Sequence, residues 1–184
     1  MTRFAGACRR LPYLALCCAL ILAVWSPRAE ASDENTLYLD LSYGRVVIEL
    51  RPDLAPQHVE RIRTLTREGF YDGIVFHRVI EGFMAQTGDP TGTGRGGSEL
   101  PDLPAEFSDA NYGRGTIGMA RAQTPNSANS QFFICFDDCS FLNGQYTVWG
   151  QVSDGMEYVD QIRRGEPPAD PDTIVRMQVA SDAN

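Results

Sequence analysis

The sequence contains no lysine, because all 16 of its basic residues are Arg. That excludes Schiff-base lysine chemistry and the lysine on which a phosphate-binding P-loop depends. Histidine is nearly as scarce: His58 and His77 are the only two, too few for a three-histidine metal site. Of the five Cys, only Cys135 and Cys139 lie beyond residue 18. No apolar run reaches the roughly 18 residues that a membrane-spanning helix requires, and the longest, Leu11 to Trp25, has about 15 with Pro12 near its start. Repeats and low-complexity tracts are absent too. What remains is 184 residues, 43% hydrophobic, 22% charged and 10% aromatic, the profile of one globular domain.

Residues 1–31 read as a cleavable secretory signal. Arg3, Arg9 and Arg10 form a positive start, the apolar run follows, and Ala29-Glu30-Ala31 is a small-x-small cleavage site ahead of Ser32. Leu16 before Cys17 is too bulky for a lipoprotein box, so neither a lipid anchor nor stable membrane insertion is expected after cleavage. The mature domain, 32–184, carries 12 Arg against 23 acids, and such a surface repels nucleic-acid backbones. Its two cysteines, four residues apart, leave a disulfide and a pair of buried thiols both open. The tail Ser181-Asp182-Ala183-Asn184 is not a eukaryotic retention signal, and the missing lysine fits GC-rich coding. A Gram-negative periplasm is the expected location, with release to the exterior as the alternative.

Alternation in Thr36 to Leu41 and Arg45 to Leu50 around Ser42-Tyr43-Gly44 predicts a hairpin. Val59, Ile62 and Leu65 fall at helical spacing between Pro56 and Glu68. Short apolar runs at Ile74 to Ile80, Phe83 to Gln86, Thr116 to Ala120, Gln131 to Phe136 and Thr147 to Val152 read as strands. A second helix is expected within Gly155 to Arg163 and a last strand over Thr173 to Val179. About eight strands and two helices in one domain point to a barrel or a sandwich.

Gly92-x-Gly94-x-x-Gly97 matches a dinucleotide fingerprint by letter but not by setting. Asp89-Pro90 precedes it, and Pro101 and Pro104 forbid the helix that must follow, so a turn is the better account. Ser98 lacks a nucleophile-elbow context, and the adjacent acids Asp137 and Asp138 read as solvated. Neither a hydrolase nor a metal site gains support, and no cofactor is called for.

The informative stretches are Phe76-His77-Arg78-Val79-Ile80-Glu81-Gly82-Phe83-Met84-Ala85-Gln86-Thr87-Gly88-Asp89 and Ser130-Gln131-Phe132-Phe133-Ile134, with Gly118-Met119-Ala120 and Phe141-Leu142-Asn143-Gly144. They closely resemble the signature segments of the cyclophilins, peptidyl-prolyl cis-trans isomerases, and the likeness runs from about Thr36 to Val179. The resemblance implies a mainly β fold, a closed eight-stranded antiparallel β-barrel capped by two α-helices. It implies that Arg78 is the catalytic arginine, acting with Phe83 and with Gln86, which orients it. It further implies that Met84, Phe133 and Leu142 join Phe83 in walling a proline pocket. Gln131 and the backbone of Ala120, Arg121 and Ala122 would pair with the substrate main chain. Proline-containing client chains would be the partners of a monomeric enzyme. His77 is read as structural.

Three departures from the family pattern bear on function. Phe141 stands where many members have Trp, whose indole N–H donates to cyclosporin, so weak cyclosporin binding is expected. Tyr146 replaces a common pocket His. Arg121 replaces a common Asn and is expected to shift preference toward acidic flanking residues. A proline-binding module without turnover and a structural subunit of an envelope assembly are the competing readings; an intact Arg78, Phe83 and Gln86 argue against the first, and no extra domain supports the second.

Overall fold

The computed structural model describes residues 33–183 together with Met1 and Thr2, so nearly all of the expected leader and the cleavage point at Ser32 lie outside the described residues. The predicted hairpin is formed by β1 (Thr36–Leu41) and β2 (Gly44–Leu50), paired from Thr36↔Glu49 to Leu41↔Gly44. Its apolar positions alternate inward, leaving Leu37, Leu39, Val46 and Ile48 without solvent contact. Helix α1 (Pro56–Arg67) turns Val59, Ile62 and Leu65 onto the sheet. Its first turn holds no acid of its own. Glu106 supplies one from a distant loop, accepting from the Gln57 and His58 N–H groups at 3.2 and 3.1 Å and from His58 Nδ1 at 2.6 Å. Burial opposes the charge on Glu106, but these donors outweigh it and hold the carboxyl below its ordinary value.

The remaining strands are β3 (Arg78–Ile80), β4 (Met84–Thr87), β5 (Thr116–Met119), β6 (Phe132–Cys135), β7 (Val148–Asp154) and β8 (Arg176–Val179). Together with the hairpin they form one antiparallel sheet of eight strands in the order β3-β4-β6-β5-β7-β2-β1-β8. The expected closed barrel is corrected here. The sheet curls into an open half-barrel whose end strands, β3 and β8, do not pair with each other. Isolated bridges Val79↔Gly165 and Val75↔Thr173 cross the seam instead. The reason is local: Pro167, Pro168 and Pro171 have no N–H to give, so the segment facing β3 cannot sustain a ladder. Only Arg78–Ile80 of the expected strand from Ile74 to Ile80 is regular, and Ile74 and Phe76 bond instead to Ile174 and Asp172. The second helix, α2, is a single turn, Met156–Val159. Beyond it the bonds tighten to Tyr158 O with Gln161 N and Val159 O with Ile162 N, which still bury Val159 and Ile162.

Alternation divides the apolar side chains into two clusters. The main core holds Val79, Ala85, Ile117, Phe132, Ile134 and Trp149, with the Phe132 ring set edge-on to Tyr71 and Trp149 at 5.6 and 5.4 Å. The opposite face of the same strands gathers Met84, Tyr112, Phe133, Cys135, Cys139, Leu142 and Val148. Gly118, opposite Phe133 in the β5–β6 register, makes that second cluster possible: a Cβ there would stand 2.3 Å from Tyr112 Oη and 2.7 Å from Phe133 Cζ. Cys135 and Cys139 are both buried and free, and burial raises both thiols above their ordinary values.

Candidate active site

Pairing of β3 with β4 sets Arg78 opposite Gln86, and pairing of β4 with β6 sets Gln86 opposite Phe133. Since side chains at every second position share a face, Arg78, Met84, Gln86 and Phe133 rise together from the side opposite the main core. They surround a pocket of about 130 Å³ completed by Phe83, Ala120, Arg121, Leu142 and Tyr146. At roughly 30 Å³ per water this is the space of about four waters, fit for one small ring. Met84, Phe133 and Leu142 form a buried floor, and Phe83 is half-buried at the rim. Phe133 stacks on Tyr112 at 5.8 Å and meets Tyr146 edge-on at 5.8 Å, which fixes its plane.

Arg78 is held from two sides. Its Nη1 donates to Gln86 Oε1 at 3.4 Å, and its Nε donates to Glu166 Oε2 at 2.8 Å. The Gln86 amide in turn donates to Gln131 Oε1 at 2.9 Å, and Gln131 Nε2 donates to the Gly96 carbonyl at 2.8 Å. This one-way relay leaves each amide a single sensible orientation, with the Gln86 oxygen toward the guanidinium. His77, next to Arg78, is buried against Gly94, and burial lowers its pKa, in keeping with a structural imidazole.

Beside the small pocket runs a polar groove of about 560 Å³, lined by Gln131 and by Ala120, Arg121 and Ala122 on one side and by Gly94 to Ser98 on the other. The Ala120 N–H is bound to Gln131 O and the Ala122 N–H to Ser127 Oγ. Between them, the Arg121 backbone N–H and carbonyl have no partner among the described residues, an open edge for an extended peptide. The Arg121 side chain does something else. It donates to the carbonyls of Gln145, Ala122 and Gln123 and lies 4.6 Å over the Tyr146 ring, bracing the groove against the pocket. Its charge is turned onto these carbonyls rather than toward a substrate flank. Phe141 is exposed outside the pocket proper, its ring 5.2 Å from that of Phe83.

The glycine-rich loop answers the question posed by its fingerprint. Asp89 is 1% exposed, and its carboxylate accepts from the N–H groups of Thr91, Thr93 and Gly94 at 2.8, 3.0 and 2.6 Å and from Thr91 Oγ1 at 2.8 Å. The nest of amides that elsewhere cradles a phosphate here encloses a carboxylate of the same chain. Burial opposes that charge, but the surrounding donors prevail and hold its pKa at about 2. Gly96 is required in the loop because a Cβ would stand 2.2 Å from Asp89 Oδ1.

The structure thus brings together nine of the sequence-derived site residues around the small pocket, sets Gln131 and Ala122 along the adjoining groove, and leaves Phe141 at its outer lip. Sequence reasoning missed Glu166, 88 positions from Arg78 and without any local pattern, and Arg95, which lines the groove with no side-chain partner among the described residues. A tethered guanidinium beside a small apolar hollow, with an unpaired stretch of backbone at Arg121 leading to it, has the shape and polarity to take an extended peptide bearing one compact ring.

Comparison with known proteins agrees. The family model described as cyclophilin type peptidyl-prolyl cis-trans isomerase/CLD matches residues 36–179. A protein of Brucella suis, named a probable peptidyl-prolyl cis-trans isomerase, is 52% identical over 180 residues, covering 89% of this chain and 92% of that one. Among solved structures, the cyclophilin AquaCyp293 of Hirschia baltica superposes with a TM-score of 0.77 at 30% identity, covering 83% of this chain and 76% of that one. A Cryptosporidium parvum cyclophilin type peptidyl-prolyl cis-trans isomerase, crystallised in the presence of the dipeptide Ala-Pro, gives 0.73 at 30%, covering 78% of this chain and 98% of that one. The chain belongs to the cyclophilin-type peptidyl-prolyl cis-trans isomerases.

Proposed function

We propose that this isomerase accelerates rotation about Xaa-Pro bonds in polypeptides that fold after export, with Arg78 as the catalytic residue. The barrier is roughly 18–20 kcal/mol and arises from amide resonance. In the planar ground state the prolyl nitrogen shares its lone pair with the carbonyl, whereas in the twisted transition state the pair localises on nitrogen and accepts a hydrogen bond. A donor aimed there stabilises only the transition state, and a guanidinium serves without any proton transfer. A bond of this kind contributes about 1.5–3 kcal/mol, and the apolar walls of Phe83, Met84, Phe133 and Leu142 add to it by excluding the water that favours the polar planar amide. The observation that carries this reading is the position of Arg78 at the mouth of the small apolar pocket, tethered by Gln86. Magnetisation exchange between cis and trans forms of an Ala-Pro peptide, recorded with and without the protein, tests it; exchange unaltered by stoichiometric protein leaves only a binding module.

Export itself rests on the leader pattern. Amino-terminal sequencing of the protein from a periplasmic fraction is expected to begin at Ser32, and a chain retaining residues 1–31 in the cytoplasm would contradict it.

Two further expectations concern ligands. Phe141 offers no N–H to cyclosporin. Half-inhibition is therefore expected only above about 1 µM, and Phe141→Trp should tighten it by about tenfold, the effect of one hydrogen bond. Inhibition of the unaltered protein below that range would contradict the reading. The preference for acidic residues ahead of proline passes from Arg121, whose side chain is engaged, to Arg95. Asp102 across the groove is already bound by Asn129 Nδ2 at 3.0 Å, so Arg95 is the group left to meet an incoming carboxylate. At low salt, peptides with Glu two residues before proline should outperform their Gln counterparts by about two- to fivefold, and Arg95→Ala should abolish the difference.

A further inference from the structure

We infer that Glu166 is a positioning residue for the isomerase reaction, fixing the catalytic guanidinium by its Nε edge so that its other donors face the prolyl nitrogen. The inference rests on the role proposed above for Arg78.

The backbone dictates the contact. Val79 and Gly165 exchange both of their hydrogen bonds, N–H to carbonyl at 2.8 Å in each direction, as an isolated antiparallel bridge across the seam. In an antiparallel pair the next residues outward stand directly opposite with their side chains close, and here those residues are Arg78 and Glu166. Gly165 is obligatory at this point. Its φ is +151°, and a Cβ would stand 2.4 Å from Pro168 Cα. Pro167 and Pro168 follow immediately and restrict the backbone that carries the carboxylate. Glu166 is therefore held in place by its own chain rather than by a flexible loop.

The two tethers on Arg78 are unequal. The Glu166 bond is 2.8 Å and charge-assisted, whereas the Gln86 bond is 3.4 Å and neutral on the acceptor side. Arg78 and Glu166 side chains are 42% and 53% exposed, so their pairing adds little to the stability of the fold. Its effect is on orientation. A long side chain at the edge of an open pocket samples several rotamers, and fixing Nε removes most of them before substrate arrives. The carboxylate contacts only the end of the guanidinium remote from Gln86, leaving the Nη donors to the pocket.

The test is a double-mutant cycle read in kcat and KM separately. Glu166→Ala is expected to lower kcat about three- to fivefold with KM nearly unchanged, in line with the most an exposed ion pair contributes. Glu166→Gln, whose amide oxygen still accepts from Nε–H, should recover most of the loss. In an Arg78→Ala background, Glu166→Ala should have no further effect. The Arg78 Nε–Hε resonance should move in Glu166→Ala and less in Glu166→Gln. Glu81→Ala, which removes the surface pair with Arg164 outside the pocket lining, is the control and should leave kcat unchanged. An unchanged kcat in Glu166→Ala overturns the inference, as does a loss that persists without Arg78, which would mean that the 165–168 segment acts through the fold. If Arg78→Ala itself keeps full activity, the proposed function fails first, and the two failures are told apart.

Discussion

Arg78→Ala is expected to lower kcat/KM for an Xaa-Pro peptide by on the order of 10²-fold, the usual effect of removing one preorganised donor. The fall should appear in kcat, because the donor acts only once the lone pair has localised, while KM, set by the apolar pocket and the Arg121 backbone edge, changes little. The fold should survive. Arg78 is partly exposed and its ion pair with Glu166 lies at the surface, so the thermal midpoint should stay within about 2–4 °C of the original. Arg78→Lys separates charge from geometry: an ammonium keeps the charge but not the planar fork, and should recover only a small part of the rate. Equal rates for Arg78→Ala and the unaltered protein, measured by exchange spectroscopy on the same peptide, would defeat the mechanism.

The second large effect concerns stability. Asp89→Ala removes the acceptor of three backbone N–H groups of the loop, from Thr91, Thr93 and Gly94, and should destabilise the protein by about 2–3 kcal/mol. Asp89→Asn keeps an acceptor but loses the charge, and its cost depends on pH in a stated direction. The folded carboxyl titrates near 2 against an ordinary 3.8, so its contribution is full above about pH 4 and declines as pH falls toward 2. The difference corresponds to about 2 kcal/mol. Urea midpoints should therefore show Asp89→Asn well below the unaltered protein at pH 7 and converging with it near pH 2. Other carboxyls, Glu34, Asp53 and Asp182 among them, are also held low by arginine or serine partners and titrate equally in both proteins, so the gap between the two isolates Asp89. A gap that is constant with pH would show that the nest does not depend on charge.

What the sequence disclosed depended on whether the information was periodic. The hairpin of Thr36–Leu41 and Gly44–Leu50 and the face of the first helix were legible within a residue or two because burial imposes a repeat of two or of 3.6 on neighbouring letters. The pocket was legible because a long motif carries Arg78, Met84 and Gln86 on consecutive strands and Phe83 in the turn between them, and β4 then pairs with β6, bringing in Phe133. Partners joined across long separations had no such repeat. Glu106 capping a helix 49 positions earlier and Glu166 facing Arg78 both arise from the way loops return to the sheet. The seam was misjudged because closing a barrel needs amide donors on both edges, and a segment with Pro167, Pro168 and Pro171 has too few. Arg121 shows a further limit. Its charge was plain from the letters, but that the charge would be absorbed by carbonyls of its own chain was visible only in three dimensions.

The two-sided sorting of β4 and β6 has a consequence for how such a protein can change over generations. Residues that line the pocket and residues that hold the domain together are interleaved in the chain yet hardly meet, since Met84 and Gln86 look one way and Ala85 and Thr87 the other. Substitutions on one side should therefore combine almost independently with those on the other. A lineage can therefore alter the pocket side without first acquiring spare robustness.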